Sequence, residues 1–224
     1  MSFAEIVYIF VIIIILFVYY FMIVRKLYSS NNIVRGNTNI YADKLMIIAH
    51  PDDELIFGSR FIIEKSGWKI VCITNATLKS NNYISFNKEN YRKKEFIDVM
   101  NKLKCQYEMW DYEDANFNWN WDETKLLERL KNLISEKQYK IILTHNLQGE
   151  YGHAQHKKIS QLVHKLRPNN LYVFDFDPNS KNPYMEKINE LINLYSSQDK
   201  VIKKYYKYIL HQSKKKINFN AETQ

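Results

Sequence analysis

Two short segments of this sequence concentrate the side chains that could bind a metal ion or transfer a proton. The first, "HPDDE" (50–54), comes directly after the apolar run "LMII" (45–48). The second, "THNLQGEYGHAQH" (144–156), follows the apolar residues "IIL" (141–143). Four of the six histidines of the chain lie in these two segments. The candidate ligands and acid–base groups are His50, Asp52, Asp53, Glu54, His145, Glu150, His153 and His156.

These residue types suit a catalytic zinc ion. Such an ion takes three protein ligands from histidine and carboxylate and keeps one position for a water, whose pKa falls to about 7. His50 and Asp53 can face one point if the proline between them tightens the turn, and His156 can reach it from the next helix. Asp52 is then left beside the water as a general base. His153 lies three residues before His156, so both point from one helix face into the same cleft.

The acidic residues of "HPDDE" have a second interpretation as the start of a helix. Carboxylates in a first helical turn stabilise the helix by about 0.3–1 kcal/mol. A helix start does not call for the preceding histidine, and three consecutive acids repel one another. We therefore predict that Glu54 stabilises the start of the helix and supports the metal ligands from behind. The other two acids, Asp52 and Asp53, are predicted to take part in the reaction.

The elements that must position these loops alternate between strand and helix patterns. Apolar runs predict strands at 44–49, 68–74, 107–112, 139–145 and 171–176, and apolar residues at helical spacing predict helices at 54–67, 91–105, 124–137 and 153–166. Strands that are apolar throughout indicate a mostly parallel sheet covered on both faces. In such a sheet the ligand site lies beyond the carboxyl ends of the strands. We predict a three-layer, Rossmann-like α/β domain.

Composition argues against several other classes of function. With five glycines, the chain has neither a GxGxxG nor a Walker A sequence, so nucleotide binding has no local support. Cys72 and Cys105 are too few for a disulfide framework and lack zinc-ribbon spacing. The 32 Lys and Arg against 24 Asp and Glu favour anionic partners, and the excess is concentrated at 201–216. No nucleic-acid partner is predicted, because the basic and aromatic residues form no recognisable module.

The N-terminal segment is uniformly apolar. Residues 6–24, "IVYIFVIIIILFVYYFMIV", contain no charge, glycine or proline, and a helix of that length would cross a hydrocarbon core of about 30 Å. A cleaved signal peptide is the alternative, but neither a positive region before the segment nor a small-residue cleavage site after it is present. Arg25 and Lys26 follow the segment, which predicts a single-pass membrane protein with a cytoplasmic catalytic domain.

The predicted organisation has four parts. Residues 1–28 form a membrane anchor, and residues 29–43 form a polar linker. Residues 44–216 form the catalytic domain and end in a basic C-terminal helix, and residues 217–224 form a tail.

Five motifs resemble a known family. They are "AHPDDE" (49–54), "ITNAT" (73–77), "RKKEF" (92–96), "TH…GEYGHAQH" (144–156) and "KINELINLYSSQ" (187–198). In this order they resemble the LmbE-like or PIG-L family of zinc-dependent sugar de-N-acetylases, and they extend across most of the globular part. The resemblance implies that the metal, Zn²⁺ or another divalent ion, is bound by His50, Asp53 and His156.

The resemblance also implies roles for other residues. Asp52 is the general base, His153 stabilises the oxyanion or assists the leaving group, and Tyr151 polarises the substrate carbonyl. The implied substrate contacts are Arg92, Asn75 and His145. The pattern is mixed, because Gln155 before the last histidine resembles the asparagine of eukaryotic members, whereas Tyr151 resembles the bacterial thiol-sugar enzymes. Such a mixture is typical of a divergent eukaryote or a virus.

The activity implied by the resemblance is hydrolysis of the acetyl group of an N-acetylglucosamine (GlcNAc) substrate. With a membrane anchor, the favoured substrate is N-acetylglucosaminyl-phosphatidylinositol, which would be converted to glucosaminyl-phosphatidylinositol and acetate in glycosylphosphatidylinositol (GPI) anchor synthesis at the endoplasmic reticulum. One alternative is a membrane-tethered deacetylase of a soluble GlcNAc conjugate. Another is a membrane-tethered scaffold without activity. Protein partners are not predicted.

Overall fold

A computed structural model of the chain describes residues 3–27, 33–75, 88–114 and 120–219. The chain divides into two compact units, residues 1–32 and residues 33–224. Parts of four predicted segments lie outside the described residues: 1–2 and 28 of the anchor, 29–32 of the linker, 76–77 of "ITNAT", and 220–224 of the tail.

The first unit contains the helix α1 (Phe3–Leu27), whose described side chains are those of residues 4–20. A membrane-spanning helix needs about 20 consecutive apolar residues. No helix within the described part of the chain combines the length and the apolar character that a bilayer crossing requires. The predictions of a transmembrane helix, of membrane attachment through residues 6–24 and of a single-pass membrane protein with a cytoplasmic domain are therefore wrong. The proposed location at the endoplasmic reticulum loses its support with them.

The second unit alternates strands and helices. Its strands are β1 (Val34–Gly36), β2 (Lys44–Ile48), β3 (Trp68–Thr74), β4 (Gln106–Tyr112), β5 (Ile141–Thr144), β6 (Leu171–Phe176) and β7 (Gln212–Lys216). Its helices are α2 (Asp53–Glu64), α3 (Lys88–Leu103), α4 (Glu123–Ser135), α5 (Gly149–Gly152), α6 (Ala154–Leu166), α7 (Met185–Ile192) and α8 (Asp199–Leu210), with a 3₁₀ turn at Ser196–Gln198.

The strands form one seven-stranded sheet in the order β1-β4-β3-β2-β5-β6-β7. The five central strands run parallel, and β1 and β7 pair antiparallel at the two edges. The chain builds outward from β2 to β4 and then returns to place β5 on the other side of β2. The order of strands therefore reverses between β2 and β5, where ligands bind in open sheets of this kind.

Two apolar cores cover the sheet, one on each face. Successive residues of β2 point to opposite faces, so Met46 and Ile48 join the core under α2, α3, α7 and α8. Leu45 and Ile47 join the core under α4 and α6. The α/β part of the predicted fold is confirmed: the sheet has a layer of helices on each side.

Helix α2 lies close against β2 because its middle residue is Gly58. A Cβ atom at that position would lie 2.6 Å from Met46 Cε, a separation that real Cβ atoms do not show. Helix α2 therefore packs closely on β2, the strand to which it is joined by the loop at 49–52.

Two segments differ from the sequence-based expectation. The predicted linker contains β1, which pairs with β4 through Val34 and Met109. In the basic C-terminal segment the helix ends at Leu210, and residues 212–216 form the edge strand β7. Lysines are common on edge strands because their charge prevents pairing with another sheet.

Candidate metal centre

The two segments rich in histidine meet at the carboxyl ends of β2 and β5. These strands are adjacent and parallel, with Ile47 opposite Thr144. The chain leaves β2 toward His50 and leaves β5 toward His145. Reversal of the strand order at this point opens a crevice that both loops line.

Three donor atoms from the two loops form a nearly equilateral triangle. His50 Nδ1 and His156 Nε2 are 3.1 Å apart, and each lies 3.3 Å from Asp53 Oδ2. A tetrahedral zinc ion with bonds of about 2.0–2.1 Å places its ligand atoms about 3.3 Å from one another. The three side chains are buried, so the strands and helices around them fix the triangle.

The outer nitrogens of both histidines are engaged by the protein. His156 Nδ1 lies 2.7 Å from Glu150 Oε2, and His50 Nε2 lies 2.6 Å from Gln155 Oε1. Both partners are acceptors, so the hydrogen of each ring lies on the outer nitrogen. The inner nitrogens then direct lone pairs at each other and at a carboxylate oxygen. Such a set of donors fits a divalent cation, and its two nitrogens and one oxygen suit zinc.

His145 takes part in a second convergent group with Asp53 and His156. Both of its ring nitrogens are occupied by the protein, because Ala49 N–H donates to Nε2 over 3.0 Å and Glu150 Oε2 lies 3.0 Å from Nδ1. Its ring is fully buried and stacks on that of His156 with 3.8 Å between centroids. The structure therefore places this predicted substrate contact behind the metal ligands.

Glu150 supports both histidines at once. Burial opposes its charge, but the charge and hydrogen bond of His145 and the hydrogen bond of His156 lower the pKa of Glu150 to about 2. It is therefore a carboxylate at neutral pH. Its backbone has a φ of 55°, in the left-handed region, where non-glycine residues are strained.

Asp52 is buried beside the ligand triangle in an unusual backbone conformation. Its φ is 118°, and its N–H donates to Glu54 Oε2 over 3.2 Å. Burial raises the pKa of the Asp52 carboxyl well above its usual value, although the Arg92 charge opposes this shift. A carboxylate with a raised pKa is the better proton acceptor, which suits the predicted role of general base.

Glu54 lies behind Asp52 and is itself held by a residue far along the chain. Tyr195 O–H donates to Glu54 Oε1 over 2.5 Å. Burial raises the pKa of Glu54 to about 7, against the opposing effect of this hydrogen bond. Tyr195 belongs to the motif "LYSSQ", but its sequence position alone gave no indication of this contact.

His153 lies at the open side of the centre. Its ring centroid is 4.6 Å from those of His50 and of His156. Burial lowers the pKa of His153 to about 3, so the ring is neutral. Its Nδ1 is buried, and no hydrogen-bond partner for it occurs among the residues that the structure describes.

Tyr151 forms the rim of the centre. It is 36% exposed, and its ring centroid lies 5.5 Å from that of His156. The ring stacks on Tyr205 of α8, with centroids 4.0 Å apart. Burial and nearby carboxylates raise the pKa of the Tyr151 phenol, so it keeps its proton for hydrogen bonding.

Arg92 reaches the centre but is engaged by the protein. Its guanidinium donates to Asp114 and, over 3.2 Å, to Pro51 O, and it lies 4.0 Å from Asp52 Oδ2. Asp114, just beyond the carboxyl end of β4, was not predicted. Asn75 is buried just past the end of β3, at the same edge of the sheet.

A family comparison identifies this arrangement. Residues 45–167 match the sequence model of the PIG-L family, described as GlcNAc-PI de-N-acetylase, where PI is phosphatidylinositol. This chain belongs to the PIG-L family. The match contains both loops of the metal centre, and it confirms the resemblance seen in the motifs.

Comparison with individual proteins finds a sequence relative and proteins that share the fold. An uncharacterized protein of Acanthamoeba polyphaga mimivirus is 55% identical over 204 residues, which is 89% of this chain and 91% of that protein. N,N'-diacetylchitobiose deacetylase from Pyrococcus horikoshii has a TM-score of 0.60 at 15% identity, covering 79% of this chain and 84% of its own. The A40926 pseudoaglycone deacetylase Dbv21 has a TM-score of 0.54 at 14% identity, with 75% and 87% covered.

The same fold also occurs outside the deacetylases. GalB, the 4-carboxy-2-hydroxymuconate hydratase of Pseudomonas putida, has a TM-score of 0.61 at 15% identity, covering 80% of this chain and 97% of its own. Likeness at this identity shows a shared fold. Membership of the PIG-L family is what favours de-N-acetylation.

Proposed function

We propose that the protein removes the acetyl group from a GlcNAc residue, using a zinc ion held by His50, Asp53 and His156. The observation that carries the proposal is the triangle of donor atoms, 3.1–3.3 Å on each side, at the carboxyl ends of β2 and β5. Membership of the PIG-L family supports the choice of reaction.

A bound zinc ion would supply a Lewis acid that polarises the acetamide carbonyl and acidifies a water molecule. Asp52 would accept a proton from that water, since burial raises the pKa of its carboxyl. The water oxygen then bonds to the carbonyl carbon. The backbone of Asp52 is held by Glu54, whose Oε2 accepts from the Asp52 N–H.

The remaining groups would act on the carbonyl oxygen and on the leaving nitrogen. Tyr151 O–H can donate to the developing oxyanion, and the neutral His153 ring can donate from one nitrogen. Groups aimed at developing charge stabilise the transition state by about 3–4 kcal/mol each. The C–N bond breaks as the amine takes the proton that Asp52 accepted from the water, with the neutral His153 ring beside it, and acetate and a glucosamine result.

The substrate that we propose is N-acetylglucosaminyl-phosphatidylinositol, which would place the protein in GPI-anchor synthesis. The description of the family as GlcNAc-PI de-N-acetylase supports this choice. A soluble GlcNAc conjugate is the second candidate. It is favoured by the fold shared with N,N'-diacetylchitobiose deacetylase.

Acetate release from purified protein tests the proposal. Three substrates would be compared: N-acetylglucosaminyl-phosphatidylinositol, GlcNAc-inositol without lipid, and N,N'-diacetylchitobiose. We expect release to stop in chelator and to return on adding zinc. Preference for the first substrate supports the lipid assignment, and equal rates on the first two contradict it. Acetate release that survives both the chelator and Asp52→Asn would contradict the mechanism.

A further inference from the structure

Gln155 is a buried amide located between the metal centre and the loop after β4. Its Nε2 donates to the backbone carbonyl of Glu113 over 3.0 Å, and the same carbonyl accepts from Trp121 Nε1 over 3.0 Å. A carbonyl oxygen can only accept hydrogen bonds. The end of the amide that faces Glu113 must therefore be the NH₂ group, and the end that faces the metal centre must be the oxygen.

The orientation of the amide determines which nitrogen of His50 carries the hydrogen. Gln155 Oε1 lies 2.6 Å from His50 Nε2, and an amide oxygen can only accept. His50 Nε2 must therefore be the N–H nitrogen of the neutral ring. This leaves the lone pair of His50 on Nδ1, the atom that belongs to the ligand triangle.

The ligands themselves favour the opposite arrangement. His50 Nδ1 lies 3.3 Å from Asp53 Oδ2 and 3.1 Å from His156 Nε2, and both of these atoms can accept a hydrogen bond. A hydrogen on His50 Nδ1 would join the three ligands to one another. It would also occupy the nitrogen that must bind the metal. The three ligands would then be hydrogen-bonded to one another instead of being free to bind a metal ion.

We infer that Gln155 is a positioning residue that keeps the hydrogen of His50 on Nε2 and so keeps Nδ1 open for a metal ion. The other acceptor described near His50 Nε2 is Asp114 Oδ1, at 3.6 Å, which is too far for a hydrogen bond. The inference rests on the proposed function, because it concerns the metal of that site.

The two histidine ligands then have unlike partners. His156 is held by a carboxylate, Glu150 Oε2 at 2.7 Å, whereas His50 is held by a neutral amide. Partners that orient metal-binding histidines contribute about 10–100-fold to metal affinity. We expect Gln155 to contribute within this range although it bears no charge.

Zinc affinity of three variants tests the inference. Gln155→Leu removes the acceptor, Gln155→Glu keeps an acceptor at the same position, and Gln148→Leu makes the same change at an exposed site in the neighbouring loop. By competition with a chromophoric chelator, we expect Gln155→Leu to bind zinc about 10–100-fold more weakly. Gln155→Glu keeps the acceptor for His50 Nε2 but loses the donor to Glu113 O, so it should recover part of this loss. Gln148→Leu should bind zinc as the unmodified protein does. Equal zinc affinity in Gln155→Leu and in the unmodified protein would overturn the inference.

Ring ¹⁵N spectra of the metal-free protein at alkaline pH provide a second readout that does not depend on activity. The unmodified protein should show His50 with its hydrogen on Nε2, and Gln155→Leu should show it on Nδ1. A hydrogen on Nδ1 in the unmodified protein would overturn the inference even if Gln155→Leu failed to fold. Absence of zinc binding by the unmodified protein would instead contradict the proposed function, and the spectra separate these two results.

Discussion

The loops that form the metal centre and the C-terminal segment that supports them differ in how their residues are arranged along the chain. The three proposed ligands lie within the part that matches the PIG-L family, at residues 45–167. The residues from 185 to 216 lie outside that match and supply none of the ligands. They supply contacts that hold α2, which begins at the ligand Asp53, and the neighbouring helix α3.

Two of these contacts reach α2, the helix that begins at Asp53. Tyr195 donates to Glu54 over 2.5 Å. The side chain of Gln212 forms hydrogen bonds with backbone groups of α2. Its Oε1 accepts from Arg60 N over 2.6 Å, and its Nε2 donates to Ile56 O over 2.8 Å. A third contact reaches α3, where Ser197 holds Glu95 through its N–H over 2.8 Å.

Comparing the metal-centre loops with the C-terminal segment separates the residues that would carry out the reaction from those that hold them in position. Metal ligands and acids cluster in short motifs because the turn after a strand must present several of them at once. Supporting groups need only reach the helix in three dimensions. Tyr195 lies 141 residues from Glu54 in sequence. We therefore expect the largest losses of activity from the loops, and losses mainly of stability from the C-terminal segment.

Asp52→Asn should cause the largest loss of activity. The amide cannot accept the proton of the attacking water, and general bases contribute about 10²–10⁴-fold to rate. Since Asp52 is outside the ligand triangle, zinc content should stay unchanged. Acetate release and metal analysis of the same preparation would measure both quantities. Loss of zinc in this variant would show that Asp52 is a ligand instead.

Glu150→Gln should have the next largest effect, and on metal binding first. Glu150 Oε2 accepts from His156 over 2.7 Å and from His145 over 3.0 Å, so the substitution weakens the orientation of both rings. We expect zinc affinity to fall by about 10–100-fold. Glu128→Gln, an exposed change on α4, is the matched control. Equal affinity in the two variants would contradict the support that we assign to Glu150.

The sequence predicted the parallel strands and the two loops for identifiable physical reasons. Central strands are buried on both faces and so appear as continuous apolar runs, as "WKIVCIT" does in β3. The loops follow such runs at the point where the strand order reverses. This combination is enough to place His50, Asp53 and His156 together without knowledge of any contact.

Other features had no comparable pattern. The strand "QSKKK" of β7 has no apolar alternation, because it pairs at an edge of the sheet. Asp114 lies in a loop, and its contact with Arg92 depends on how β4 ends beside α3. The apolar composition and length of residues 6–24 suggested a membrane span, which is contradicted because no helix in the described part of the chain is long and apolar enough to cross a bilayer.

Tyr195→Phe should affect stability more than chemistry. The change leaves Glu54 Oε1 buried without its donor, which costs about 1–3 kcal/mol of unfolding free energy. We expect kcat to fall less than in Asp52→Asn, because Glu54 supports Asp52 while the Asp52 carboxylate itself accepts the proton. Chemical denaturation measures the first effect, and acetate release the second. Tyr206→Phe, on α8, is the control and should remain within about 0.5 kcal/mol.

Tyr205→Leu should give the smallest effect, and it decides whether the C-terminal segment contributes anything to rate. Tyr205 stacks on Tyr151 with centroids 4.0 Å apart and ring planes 19° apart, a contact worth about 0.5–1.5 kcal/mol. Without it the Tyr151 ring gains freedom, and its O–H is less often aimed at the carbonyl oxygen. We expect kcat to fall by up to about tenfold, the equivalent of 1.4 kcal/mol, with zinc affinity unchanged. Tyr205→Phe retains the stacked ring and should lose less. Equal kcat in all three proteins would limit the Tyr205 ring to a structural role, because its stacking on Tyr151 would then have no effect on the reaction.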